Sequence, residues 1–344
     1  MREARNLLAH SLAHSTRKSY RSAVASLQKF CQQNNQPLSF PVSIDLLCLW
    51  ITHSAHSLHY RSIRVYLNGI GTMHVLHGHP NPIEGESLVW RAYLGVKRLQ
   101  GGEAKQTTRL PITVELLLQL ERWQNFESTE GKMVRAAMWL GTCGLLRAGE
   151  FTVRDKNSVL VRRRHLSFHD EEGSALTLLS TQIAYMQLKL ARTKTEQYGA
   201  GATIIISHPR AVSAMTTYLK ASPNSEKDDP LLSLKDGRPL TYSFLMERVH
   251  SLLLSAGVEE LDRYKGHSFR RGGATSLHLA GLPDSTIKAM GRWRSFTFAT
   301  YVDTPRSVFL KAGRALPGAA AQGKSVTFTA RQFESWTRPV WEEE

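Results

Sequence analysis

A chain of 344 residues exceeds the usual length of one domain, and 42% hydrophobic residues suffice for more than one core. Lys and Arg outnumber Asp and Glu 44 to 29, a formal net charge of +15, which points to a polyanionic partner, a nucleic acid or an anionic membrane. Cys31, Cys48 and Cys143 are widely spaced and odd in number, which argues against a disulfide framework or a zinc knuckle and for a reducing compartment. There is no apolar run of membrane-spanning length and no signal-peptide pattern, so the expectation is a soluble, intracellular protein with no membrane partner.

The basic excess is spread along the chain. Residues 1–105 hold 12 Lys/Arg against 5 Asp/Glu, and the remainder 32 against 24. The first hundred residues read as helices. Ser15 or Thr16 is a candidate cap for a helix with Tyr20, Val24, Leu27 and Phe30 on one stripe. Ser43 starts a second helix that turns Leu46, Leu47, Trp50 and Ile51 inward, a third covers Ile63 to Leu76 and a fourth Ser87 to Leu99. Arg17, Lys18 and Arg21 fall at the start of the first helix, where the backbone dipole also favours phosphate. His74, His77 and His79 have no cysteine or acid beside them, so a polar helix end or phosphate contacts fit them better than a metal.

Residues 100–111, with two glycines, polar residues and Pro111, read as a linker. Domain boundaries are therefore expected at 1–105 for a helical domain and 106–344 for a second one. Thr113 caps a helix carrying Leu116, Leu117, Leu120 and Trp123, and another helix covers Met133 to Leu140. The pattern then switches to hairpins: His165–Asp170 with Ala175–Leu179, and Tyr185–Leu190 with Ala202–Ile206. The basic run Val161–His165 reads as a charged strand edge, with a nuclear signal as the alternative. From about 208 to about 314 the chain reads as helical again, followed by a low-complexity breaker at 317–324 and a tail without clear period. The fold class expected is mainly α with a small antiparallel sheet in the second domain.

Four places carry chemistry. Arg147 lies in an apolar, glycine-containing helix start, where a guanidinium is costly to bury without an anion; Glu150, three residues on, either orients it or simply pairs with it. Lys194 and Arg192 sit in the loop of the second hairpin, Lys194 as a candidate proton donor or as a solvated turn residue. His267 and Arg270 share one helix face, with Arg271, Gly272 and Gly273 following. Two glycines inside a helix cost about 1 kcal/mol each against alanine, so a close neighbour is expected there. Arg292, Trp293 and Tyr301 complete a stretch of 35 residues from His267. A guanidinium, an imidazole and a phenol so close together suit breaking a phosphodiester without a metal.

Taken in order, Arg147, Lys194, His267, Arg270, Trp293 and Tyr301 resemble the tyrosine recombinase family of the phage-integrase type. That family runs from an arginine at a Thr-Gly-Leu-Arg-like helix start through a hairpin lysine and His-x-x-Arg to a His or Trp and then Tyr. The resemblance covers nearly the whole chain, since the amino-terminal bundle is similar to the family's core-binding (SAM-like) domain. The wording of His267–Thr275 and Met290–Ser295 is most similar to recombinases of eukaryotic mobile elements, with DIRS-like, Ngaro-like and crypton elements as candidates. Many members place the His or Trp nine residues before the nucleophile; here that position is Arg292, and Trp293 is eight before Tyr301. Trp293 is read as packing against the nucleophile's helix and offering its N–H, and Arg292 as the alternative residue turned toward the phosphate.

The resemblance implies a site-specific DNA recombinase. Tyr301 would be the nucleophile forming a 3′-phosphotyrosine, with Arg147 and Arg270 on the scissile phosphate. His267 would assist, and Lys194 would protonate the leaving 5′-oxygen. Neither cofactor nor metal is implied. Arg17, Lys18, Arg21, Arg192 and Arg271 are candidates for DNA-backbone contacts. Double-stranded DNA is the implied partner, held in a C-shaped clamp by a homotetramer on two sites, with a monomer without DNA left open. The tail 306–344 is a candidate for docking on a neighbour, and the nucleus is the implied location. A type IB topoisomerase-like nicking-closing enzyme and a catalytically silent DNA-binding protein remain the alternatives.

Overall fold

The computed structural model describes residues 7, 11–85, 87–101, 109–155, 158–191, 201–222, 226–302 and 314. Its contacts divide the chain into two units, Met1–Thr107 and Thr108–Glu344.

In the first unit, helices α1 (His14–Gln33), α2 (Ile44–Ala55), α3 (Tyr60–Leu76) and α4 (Leu88–Gly101) each present an apolar stripe. The stripes meet in a core of Leu27, Leu47, Trp50, Ile51, Ile63, Leu67 and Ile70, none more than 1% exposed. The Ser43 hydroxyl caps α2 by accepting from the Leu46 N–H. Gln100 ties the α2–α3 turn to the end of α4: its Nε2 donates to the Ala55 and Leu58 carbonyls, and its Oε1 accepts from the Tyr60 N–H. The start of α1 corrects the expectation of a Ser15 or Thr16 cap. The Arg17 N–H already bonds the Ala13 carbonyl, so both hydroxyl residues lie inside the helix, and Ala13 stands at the cap without a side-chain bond.

His74 in the last turn of α3 and His77 and His79 just after it form an aromatic cluster. His74, His77 and His79 pack their rings 4.8, 5.2 and 5.1 Å from that of Phe40. His74 is buried; its Nε2 accepts from the Val42 N–H, which leaves Nδ1 to donate to the Ile70 carbonyl. Both of its nitrogens are thus used by the fold.

The second unit is built around α6 (Thr129–Cys143), whose Met133, Val134, Ala136, Ala137, Met138, Trp139 and Leu140 are all buried. A helix apolar on every side belongs in the middle of a core. Packed on it are α5 (Val114–Trp123), α7 (Pro209–Ala221), α8 (Tyr242–Ser255) and α9 (His267–Leu279). Thr113, Ser128 and Thr241 cap α5, α6 and α8 with their hydroxyls. One antiparallel sheet in the order β2-β1-β3-β4 consists of β1 (Leu166–His169), β2 (Ala175–Leu176), β3 (Tyr185–Leu190) and β4 (Ala202–Ile206). Met186, Leu188 and Leu190 of β3 point into the core while the residues between them do not, the period of two expected of a half-buried strand. The architecture is mainly α with one small antiparallel sheet, as the sequence led us to expect.

Three local expectations are corrected. The run Val161–His165 pairs like a strand only at its start, where Arg162 forms an antiparallel bridge with Pro230 and the Leu231 N–H bonds the Val161 carbonyl; Arg163–His165 form a 3₁₀ turn, in which the His165 Nδ1 accepts from the Arg162 N–H and Arg162 and Arg164 reach Asp228. β2 ends at Leu176 rather than Leu179, since the Ser180 N–H folds back onto the Thr177 carbonyl. The stretch from 208 is not continuously helical; residues 226–241 form an irregular segment containing Pro230 and Pro239, which supply no backbone donor. After it come α8, α9, α10 (Asp284–Met290) and a 3₁₀ turn at Phe296–Tyr301. The breaker at 317–324 and the rest of the tail lie outside the described residues. No helix among the described residues is long and apolar enough to cross a membrane.

Helix α9 is seated by its two glycines. A Cβ on Gly272 would stand 1.8 Å from the Ile112 carbonyl oxygen, and one on Gly273 would stand 2.1 Å from that of Thr142. The helix therefore touches backbone on two sides, and the Ile112 N–H bonds the Ser268 carbonyl across the contact. Gly272→Ala is expected to lower stability by ~3 kcal/mol or more, since backbone cannot move aside as a side chain can. Gly95→Ala in α4, where a Cβ meets nothing within 4 Å, is expected to raise stability by up to ~1 kcal/mol. Urea denaturation of the two variants measures both.

Candidate active site

Helix α6 ends at Gly144, and the next residue, Leu145, adopts a left-handed backbone with φ 46. This turn sends the chain through Leu146 in the core to Arg147, which precedes a 3₁₀ turn at Ala148–Glu150. Glu150 reaches back: its carboxylate accepts from the Arg147 N–H at 2.8 Å and from Arg147 Nη1 at 2.9 Å. The same carboxylate binds Arg292 Nη2 at 3.0 Å. Glu150, with a side chain 7% exposed, therefore bridges two arginines from distant parts of the unit.

Arg270 stands on α9 with no exposed surface. Its Nη1 donates to the Leu145 carbonyl at 2.6 Å and its Nη2 to the Gly291 carbonyl. The guanidinium thus pins the turn after α6 to the end of α10. Burial, with Arg147 and then Arg292 nearby, pushes its pKa down to about 9. Burial also lowers that of Arg292, opposed by the Glu150 carboxylate. The two guanidiniums share one acceptor, since Arg292 Nη2 also lies 3.3 Å from the Leu145 carbonyl. Three arginines against one carboxylate leave a net charge of +2 in this cluster. Nε of Arg270 and Nε and Nη1 of Arg292 are buried with no hydrogen-bond partner. Buried donors without acceptors each cost about 1–3 kcal/mol, which suits a place where an anion binds.

Tyr301 closes the cluster. Its hydroxyl is 3.3 Å from His267 Nδ1, close enough to exchange a proton, and its ring centroid is 5.8 Å from the Arg270 guanidinium carbon. The Thr275 hydroxyl donates to the Tyr301 carbonyl and Arg271 Nη1 to that of Thr300, so α9 holds the tyrosine's turn by its backbone. Trp293 lies flat under Arg270, 4.1 Å from the guanidinium carbon, and 5.2 Å from the Tyr301 ring. It belongs to a small apolar cluster with Leu145, Ala274, Ile287 and Phe298. A Cβ on Gly291 would overlap the Trp293 ring at 1.7 Å, so glycine is required for the indole to fold back.

Arg147, Glu150, His267, Arg270, Arg292, Trp293 and Tyr301 are thus brought together. Lys194 and Arg192 lie outside the described residues. The strand leading to them ends beside the cluster, since Leu190 and Ala191 line a small cleft with Gly149 and Glu150. Arg17, Lys18 and Arg21 stand on α1 of the other unit, where Arg17 and Arg21 line a mostly apolar cleft with Tyr20, Gly69 and His77. Sequence reasoning missed the Leu145 carbonyl, which holds two of the arginines; a leucine in a left-handed turn leaves no mark in the sequence.

No protein-family model matches the sequence. No curated protein matches it either. Solved structures do. The XerH site-specific recombinase bound to a palindromic difH substrate in a post-cleavage complex superposes with a TM-score of 0.60 at 13% identity, over 87% of this chain and 79% of that one. The Tn1549 transposon integrase in complex with circular intermediate DNA gives 0.56 at 14%, over 90% and 98%. A lambda integrase dimer bound to a COC′ core site gives 0.52 at 14%, over 88% and 93%. The fold of this chain is the fold of those integrases, including their catalytic domains.

The Arg270 pKa is below that of an unfolded arginine. On this group's account stability is therefore lowest below about pH 9, where the buried guanidinium is charged, and rises as pH climbs from there toward the unfolded value. An anion at the site offsets that cost only while the charge is present. Sulfate is expected to raise Tm more at about pH 7 than at about pH 10, and Arg270→Met to abolish the difference. Equal sulfate effects at both pH values in the unsubstituted chain would contradict a contribution of the Arg270 charge to anion binding.

Proposed function

We propose that this chain is a site-specific DNA recombinase that cleaves and rejoins strands through a 3′-phosphotyrosine intermediate. The observation that carries this reading is the pairing of Tyr301 with His267 at 3.3 Å beside a cluster of arginines of net charge +2. A phenol ordinarily holds its proton to about pH 10, so it becomes a nucleophile only with a base and a cationic field beside it. The fold shared with solved recombinases bound to DNA, and the overall charge of +15, support the same conclusion.

In this mechanism the Tyr301 oxygen attacks phosphorus while His267 takes the phenolic proton. The Tyr–O–P bond forms, the P–O5′ bond breaks, and the departing 5′-oxygen takes a proton from Lys194. Arg147, with a side chain 20% exposed, binds a non-bridging oxygen. Arg270, whose two Nη groups hold backbone carbonyls, contributes its charge and its unpartnered Nε. Both stabilise charge that builds in the phosphorane. Trp293 is the wall on which Arg270 and Tyr301 rest. A 5′-hydroxyl from a second strand reverses the step and completes exchange. Glu150 orients Arg147 throughout.

Within this reading, residues 1–105 are a core-binding domain that grips duplex DNA, with Arg17, Lys18 and Arg21 as backbone contacts. Residues 106–344 are the catalytic domain, to which Arg192 and Arg271 add backbone contacts. Four copies act on two DNA sites, and the tail 306–344 links neighbours. The enzyme serves the movement of a eukaryotic mobile element and works in the nucleus. A single copy acting on one duplex would instead be a type IB topoisomerase-like nicking-closing enzyme.

Trapping on DNA of random sequence tests the proposal. Pools of random-sequence duplexes with a nick lose the short 5′-hydroxyl fragment after cleavage, which prevents religation. The unsubstituted chain is expected to form a protein–DNA adduct stable to detergent, and Tyr301→Phe to form none. Sequencing the trapped DNA reveals the cleavage position. Failure of both proteins, or success of both, contradicts nucleophilic catalysis by Tyr301.

A further inference from the structure

Arg292 has features that a purely structural ion pair does not require. Its backbone is left-handed, with φ 57, in a residue carrying a long side chain. Such a conformation costs on the order of 1–2 kcal/mol for a non-glycine residue, and strain of this kind gathers at functional sites. Among the described residues, Asn35, Leu145, Glu260 and Arg292 have left-handed backbones without being glycine, and two of these, Leu145 and Arg292, are in the arginine cluster.

The left-handed turn sends consecutive side chains to opposite destinations. Trp293 folds back over Gly291 into the apolar cluster, and Arg292 enters the polar one. Glu150 holds one Nη of Arg292, while its Nε and other Nη have no partner. The unpartnered Nε and Nη1 of Arg292 are themselves buried, while fifteen per cent of its side chain as a whole is exposed, against none of Arg270, whose two Nη groups are already bound to carbonyls. Arg147 is exposed to a similar degree, 20%, and is aimed by the same carboxylate. Glu150 thus joins Arg147 and Arg292 through one carboxylate, and Arg292 shares the Leu145 carbonyl with Arg270, whose guanidinium carbon lies 5.8 Å from the Tyr301 ring centroid. The Glu150 charge is fully used in offsetting one of three guanidiniums. The remaining +2 equals in size the total charge of the phosphorane formed when an oxygen anion adds to a phosphodiester, one negative charge from each.

We propose that Arg292, aimed by Glu150, is a third arginine that contacts the scissile phosphate and supplies the donor otherwise expected from Trp293. This rests on the strand-transfer reading above. Glu150 is then a positioning residue for two phosphate contacts, and the indole of Trp293 supports Arg270 and Tyr301 without donating to the phosphate. A guanidinium here stays charged where an imidazole would titrate, so the site keeps its full positive charge across the physiological range.

The test uses the full chain and the duplex whose cleavage position the trapping experiment reveals, made with either the natural phosphodiester or a neutral methylphosphonate at that position. Rates of adduct formation are compared for the unsubstituted chain, Arg292→Ala, Arg292→Lys and Trp293→Phe, after thermal unfolding shows that each is folded. On the phosphodiester, Arg292→Ala is expected to slow adduct formation by about 10²–10³-fold, Arg292→Lys to recover part of that, and Trp293→Phe to cost less than about tenfold. On the methylphosphonate, which has no anionic oxygen pair to neutralise, the Arg292→Ala deficit is expected to shrink to within about tenfold. Should Arg292→Ala not fold, Arg292→Gln keeps a donor for Glu150 without the charge, and the same comparison decides. Equal deficits on both linkages mean a structural role and overturn the proposal, as does a deficit no larger than that of Trp293→Phe. If the unsubstituted chain forms no adduct at all, strand transfer itself falls and this proposal with it. If it does and Arg292→Ala matches it, only the role of Arg292 falls.

Discussion

A guanidinium with no exposed surface sits at the centre of the second unit, and its neighbours are arranged around the cost of keeping it there. Removing a charge from water costs several kcal/mol even after relaxation. Arg270 offsets part of this by binding the Leu145 and Gly291 carbonyls and by lying on the face of Trp293. Each of those partners comes from a different segment: the turn after α6, the end of α10, and the loop that leads to Tyr301. The interaction that stabilises the charge therefore also fixes the relative positions of the segments that carry Arg147, Arg292 and Tyr301. What remains uncompensated is electrostatic, and it favours an anion.

Backbone geometry makes that arrangement possible. Gly272 and Gly273 let α9 lie directly against the carbonyls of Ile112 and Thr142, closer than any side chain would permit. Leu145 and Arg292, both left-handed, turn a carbonyl and a side chain into the cluster from opposite sides. Glu150 then joins Arg147 and Arg292 through one carboxylate. Because that carboxylate is almost buried, its pairing is far less screened than a surface salt bridge. Strain and buried charge, each unfavourable alone, are held by packing around α6 and are concentrated where the proposed chemistry needs them.

Much of this was legible in the sequence, for reasons that can be named. The alternation in Tyr185–Leu190 and the β-branched run of Ala202–Ile206 marked two strands that do pair. Ser43 and Thr113 marked helix starts because a hydroxyl at that point satisfies a free N–H. The paired glycines after Arg271 announced a close backbone neighbour, and there are two. Other features carried no readable signal. Ser15 and Thr16 resemble a cap, but the helix starts at His14, one residue before them, with Ala13 at the cap. The basic run at 161–165 looked extended, and Arg162 does bridge Pro230, but Arg163–His165 turn, with their partners in residues 227–231, more than sixty residues away. Whether Arg292 or Trp293 turns toward the polar side depends on a left-handed backbone that propensity does not assign to arginine. The hairpin residues Arg192 and Lys194 and the tail beyond Val302, apart from Arg314, lie outside the described residues.

Strand transfer through Tyr301 requires its oxygen to become bonded to DNA through a 3′-phosphate. Mass spectrometry of a trapped adduct, digested with protease and nuclease, tests it most directly. One modified peptide is expected, with a nucleotide attached to Tyr301 through its 3′-phosphate, and a free 5′-hydroxyl on the other DNA end. Attachment to any other residue, or through a 5′-phosphate, would contradict it.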